Sequence, residues 1–96
     1  MRHITVLAVA AVLGWTLNAW AQDAEALLKK EGCMKCHSVS AKKEGPSFKD
    51  ISAKYKGKPD GAAAVQKQIT AGKDHPHVKT KNEKDVKAIV DYVLSR

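Results

Sequence analysis

Apolar residues recur at helical spacing in four stretches of the chain, and no stretch alternates with the period of two that a half-buried strand requires. The last stretch is the clearest. Over about Glu83 to Ser95, Val86, Ile89, Val90, Val93 and Leu94 stand at i, i+3, i+4, i+7 and i+8, one apolar stripe. Asn82 is its expected N-cap, with Asp85 three residues on, and Thr80-x-x-Glu83 offers a competing capping box. A first helix opens at Gln22 or Asp23 and runs to about Glu31, with Ala24, Leu27 and Leu28 on one face and Gly32 ending it. Ser47 or Phe48 to about Tyr55 forms a shorter helix that buries Phe48, Ile51 and Tyr55 and stops before Gly57-Lys58-Pro59. Asp60 caps another, to about Ala71, with Val65 and Ile69 inward and Gly72 as its C-terminal glycine. The pattern predicts an all-α fold in which the first and last helices pack together. With no repeats, low-complexity tracts or linkers, the helices form one domain.

Ahead of that domain, Met1 to Ala21 has a basic start (Arg2, His3), an apolar run from Ile4 to Leu13, and Ala19-Trp20-Ala21 as an Ala-x-Ala cleavage site. This is the pattern of a secretory signal peptide. The run is interrupted by Gly14, Thr16 and Asn18 and is short for a span of about 20 residues, which argues against a retained anchor. Cleavage after Ala21 would leave residues 22–96, with both tryptophans lost and only Phe48, Tyr55 and Tyr92 as aromatics. So small a set of large apolar side chains predicts a marginal core in need of a staple.

The staple is suggested by Cys33-Met34-Lys35-Cys36-His37, the Cys-x-x-Cys-His attachment signature of c-type haem. Two cysteines three apart can each form a thioether to one vinyl group of the same porphyrin, and the following histidine is placed to ligate the iron. Other uses of two cysteines fit less well. Zinc would need two more ligands at finger-like spacing, and the remaining histidines are only His3, His75 and His77. A thioredoxin-like pair expects a βαβ setting that the periodicity lacks. One covalently bound haem c, with its iron, is therefore the expected cofactor, and it is expected to be structural as well as functional.

Charge adds a partner to this picture. The chain has 17 basic and 10 acidic residues; signal cleavage removes Arg2 alone, leaving a net +6. Its lysines are scattered, without an arginine-rich block or an aromatic stacking platform, which excludes nucleic acid as a target. Lys35, Lys42, Lys43, Lys49, Lys73 and Lys79 lie near the expected haem-contacting segments and could ring an exposed haem edge, steering an acidic redox partner. A merely solvated surface is the plainer alternative.

The chain resembles a class I cytochrome c of the short bacterial monohaem type over essentially all of Gln22 to Arg96. The matching segments, in order, are Leu27-Leu28-Lys29-Lys30-Glu31-Gly32 with the attachment motif, Gly45-Pro46-Ser47-Phe48-Lys49-Asp50-Ile51, Ile69-Thr70-Ala71-Gly72, and Ile89-Val90-Asp91-Tyr92-Val93-Leu94-Ser95. The resemblance implies about four helices around one haem and periplasmic electron transfer by a monomer, with no enzymatic reaction and no membrane insertion after signal cleavage. It also implies thioethers at Cys33 and Cys36, His37 as proximal ligand, and a Pro46 carbonyl accepting from the proximal imidazole. The family's distal ligand, a methionine before a proline, is missing: in residues 22–96 the single methionine is Met34, trapped between the cysteines. His75-Pro76 stands in the family's Met-Pro place, so His75 is the expected sixth ligand, His77 the alternative, and Lys79 a weaker third. A bis-His, low-spin haem of lowered potential follows. Two other uses stay open: a haem that binds or senses a small ligand, and a dedicated electron-transfer subunit of a periplasmic oxidoreductase.

Overall fold

Helix α1 covers residues 23–30 and turns Ala24 and Leu28, one helical turn apart, into the interior, where Leu28 is 1% exposed. The computed structural model describes residues 23–96; the expected signal segment, Met1 to Ala21, lies outside them. Glu31 N–H donates to the Leu27 carbonyl and Gly32 N–H to that of Lys29, after which Gly32 takes a left-handed conformation (φ 78°) that closes the helix. A single 3₁₀ turn, Cys33–Lys35, follows at once.

Helix α2, Phe48–Tyr55, begins with its four free N–H groups accounted for, and that accounting positions the preceding loop. Phe48 and Lys49 N–H donate to the Ser38 and Val39 carbonyls, Asp50 N–H to Ser47 Oγ at 3.1 Å, and Ile51 N–H to the Ser47 carbonyl. The loop from His37 to Pro46 is thereby laced to the start of α2. Helix α3, Gly61–Ala71, follows after a tight connection in which a Cβ at Gly61 would collide with the Tyr55 carbonyl. Asp60 precedes α3 as expected but its side chain makes no capping bond. Its backbone (φ −107°, ψ 13°) is not the extended conformation that aims a capping oxygen at the first turn.

Helix α4, Glu83–Leu94, is capped by Asn82, whose Oδ1 accepts from Lys84 N–H at 2.9 Å. Thr80 does not build the competing box; its hydroxyl donates to Asp85 and accepts from Asn82 N–H. The described residues form no strand, and no helix among them is long and apolar enough to cross a membrane. The core has two parts. Ala24 and Leu28 of α1 meet Ile89, Tyr92 and Val93 of α4 together with Phe48, which sets its ring edge-on to Tyr92. Val65 of α3 meets Val86 and Val90 of α4. Two polar ties cross the bundle: Tyr92 Oη donates to Glu25 at 3.0 Å, and the buried Ser52 hydroxyl donates to the Leu94 carbonyl at 2.8 Å.

Candidate haem site

Because α1 stops at Gly32, Cys33 begins the 3₁₀ turn and His37 N–H closes back on the Cys33 carbonyl at 3.1 Å. Burial pushes the Cys33 thiol above its usual range, with the Glu31 charge adding to the effect. A hydrogen bond from Cys36 Sγ to the Glu44 carboxylate, 3.5 Å away, pushes the second thiol up as well. Exchange-active cysteines are tuned the other way, toward thiolate, so the pair is ill suited to thioredoxin-like chemistry.

His37 is held from behind. Its Nδ1 donates to the Pro46 carbonyl at 2.6 Å, and its ring stacks on Phe48 with centres 5.4 Å apart. Gly45 completes this seat, since a Cβ there would collide with the imidazole. A carbonyl can only accept, so the bond fixes the proton on Nδ1 and leaves Nε2 as a free electron-pair donor.

In front of His37 lies a cavity of about 610 Å³, within the range of cofactor sites. Leu28, Phe48, Ile51, Val65, Ile69, Ile89 and Val93 make it largely apolar; Asp50, Lys54, Tyr55 and Gln68 add polar atoms from α2 and α3. Cys33 and Pro46 also line it, as does His75 from the loop between α3 and α4. The His75 and His37 rings have centres 6.1 Å apart and planes 27° apart. Two imidazoles sharing one metal ion through nitrogen bonds of about 2.0 Å need ring centres about 6 Å apart, so the pair fits. His75 Nδ1 also meets a carbonyl, that of Pro76 at 2.6 Å, which leaves its Nε2 free in the same way.

The other sequence candidates sit elsewhere. His77 is exposed, packed beside Gly72 rather than lining the cavity, and its ring makes no hydrogen bond to another described residue. Met34 packs against the α1–α4 core. Lys43 Nζ donates to the Met34 carbonyl at 3.0 Å, and Lys35, Lys42, Lys49, Lys73 and Lys79 are exposed. Sequence reasoning missed the polar lining of Asp50, Lys54 and Gln68. For two of them a signal existed: Lys54 stands one helical turn from Ile51, and Gln68 one turn from Val65, on the faces those apolar residues already marked.

An apolar cavity edged by Cys33 of the attachment motif and lined by two imidazoles defines a small helical protein built to enclose a metal porphyrin. Comparisons with known proteins agree. The family model for cytochrome c matches residues 21–96. Cytochrome c-552 of Nitrosomonas europaea is 36% identical over 84 residues, covering 79% of this chain and 81% of that protein. Cytochrome c-551 of Pseudomonas aeruginosa is 40% identical over 55 residues, a match spanning 57% of this chain and about half, 53%, of that protein. Among solved structures, the class 1 cytochrome MtoD of Sideroxydans lithotrophicus superposes with a TM-score of 0.65 at 33% identity, covering 77% of this chain and 92% of that one. The chain belongs to the class I cytochrome c family, and its cofactor is covalently bound haem c, which Cys33, Cys36 and His37 fit.

Proposed function

We propose that this protein is a periplasmic electron carrier whose haem iron is ligated by His37 and His75. Cys33 and Cys36 would form the thioethers, and the Pro46 carbonyl would orient His37 and raise its basicity. The observation that carries the reading is the pair of imidazoles at one cavity, 6.1 Å apart, each with Nδ1 against a backbone carbonyl. The haem supplies a one-electron iron couple when bound. The protein's own work is to exclude water with Leu28, Phe48, Ile89 and Val93, and to hold both rings by Nδ1–H so that ligation needs little rearrangement. Imidazole in place of thioether sulfur lowers the potential below that of a His/Met relative. Export by the N-terminal segment, cleaved after Ala21, suits the periplasmic assignment. The exposed lysines around the attachment turn and the distal loop suit a partner with an acidic face, so the association rate should fall steeply as salt rises.

Replacing each histidine separately tests the ligand assignment. His75→Ala should convert the ferric holoprotein to high spin and admit added imidazole, while His77→Ala should leave the wild-type spectrum; the reverse pattern would transfer the role to His77. A second reading, reversible binding of a small ligand at the iron, is favoured by the exposure of Lys73, Asp74, Pro76 and His77 around His75. Immediate binding of carbon monoxide by the reduced protein would select it over the carrier.

A further inference from the structure

Glu31 has a use that neither haem attachment nor α1 requires. Its carboxylate reaches across to the far end of the distal loop, where Oε2 accepts from Lys79 N–H at 2.6 Å and Oε1 from Thr80 N–H at 3.1 Å. One side chain, two positions ahead of Cys33, thus grips two successive backbone donors 48 and 49 residues later in the chain. Charged acceptors make the stronger class of hydrogen bond, and two on one carboxylate also fix direction.

The position of the grip matters because of what else holds this loop. Val78 N–H donates to the Ile69 carbonyl at 2.9 Å, and that is the backbone bond tying the segment to α3. Residues 73–77 make no backbone hydrogen bond to another described residue, and His75 bonds only the adjacent Pro76 carbonyl. Apart from the His77 ring beside Gly72, the restraint on His75 from the C-terminal side therefore passes through Val78, Lys79 and Thr80. Thr80 is fastened in turn to α4 through Asp85 and Asn82.

We propose that Glu31 is a positioning residue for the distal ligand, a clasp that joins the attachment turn to the His75 loop and so keeps the sixth position of the iron closed. The inference rests on His75 being that ligand. With the clasp intact, the arc that must swing for His75 to leave is short, running from Gly72 to Val78. Without it, the Lys79 and Thr80 amides lose their acceptor and the loop its tie to the attachment turn. The Val78 bond and core contacts and the Thr80 hydroxyl are left to hold it, so the arc around His75 moves more freely. The clasp thus decides between a closed electron carrier and a haem open to added ligands.

The test is stopped-flow binding of imidazole to ferric holoproteins. Glu31→Ala should bind about tenfold or more faster than wild type, because the charged acceptor is lost outright. Glu31→Gln, which keeps one acceptor oxygen, should fall between the two, and amide exchange at Lys79 and Thr80 should accelerate in the same order. Ser52→Ala serves as the control. It removes a bond of similar length between α2 and Leu94, and should lower the melting temperature while leaving the binding rate unchanged. A wild-type rate in Glu31→Ala, or equal acceleration in Ser52→Ala, would overturn the clasp. A His75→Ala protein that retained the wild-type six-coordinate spectrum would instead overturn the ligand assignment, so the two failures are distinguishable.

Discussion

A histidine binds metal through a lone pair only when its proton is parked on the other nitrogen, and both cavity-facing imidazoles meet that condition through a backbone carbonyl. The seat behind His37 is tight enough to exclude any side chain at Gly45. Gly45→Ala should therefore displace the proximal ring, giving holoprotein with a weakened proximal bond and a shifted potential, or sharply reduced haem incorporation; a wild-type spectrum and potential would show that the seat yields. Tyr92 gives a pH prediction. Burial, reinforced by its hydrogen bond to Glu25, pushes the phenol above its usual range near 10. The folded state then holds a proton that the unfolded chain releases, so this contribution is complete below pH about 10 and is lost as the pH rises above it. Denaturant unfolding of wild type and Tyr92→Phe on both sides of pH 10 should show a steeper loss in wild type; parallel curves would remove Tyr92 as the cause.

At the scale of elements, capping separates two residues that look alike on paper. The Ser47 hydroxyl accepts from the Asp50 N–H whereas the Asp60 side chain makes no capping bond, so Ser47→Ala should cost about 1 kcal/mol and Asp60→Ala less than about 0.5 kcal/mol. Equal losses in urea unfolding would contradict that difference. The α4 stripe, the α1 face and the Gly32 and Gly72 stops were legible in the sequence because period and left-handed glycine are local properties. The Asp60 cap was misjudged because a capping oxygen depends on the backbone angles of one residue, which the tight Lys58–Gly61 turn sets. Gln68 and Lys54 were overlooked because a polar residue on a buried face reads as solvent-facing until a cavity is known to lie against it. Glu31 could not have been found by spacing at all, since its partners are backbone atoms in the loop before α4, 48 and 49 residues on. The proline neighbour and the lack of a usable methionine favour His75 over His77 in the sequence, and the fold adds that His75, not His77, lines the cavity with His37.

For the molecule as a whole, the cavity is a large fraction of the interior. Without haem, Leu28, Phe48, Ile51, Val65, Ile69, Ile89 and Val93 would line an open space of about 610 Å³ with no packing partner across it. The haem-free chain should accordingly lose cooperative thermal unfolding and bind hydrophobic dye, as a loosened helical state does; a sharp calorimetric transition without haem would refute a structural role for the cofactor. Filled by haem, the same cavity lets a chain with only three aromatics in residues 22–96 keep one stable fold. The proposed ligation turns on His75, which lines the same cavity as His37. The most direct test is the ferric optical and magnetic spectrum of the wild-type holoprotein at neutral pH. The account predicts a six-coordinate, low-spin iron with two imidazole ligands; a methionine-sulfur charge-transfer band, or a high-spin iron, would contradict it.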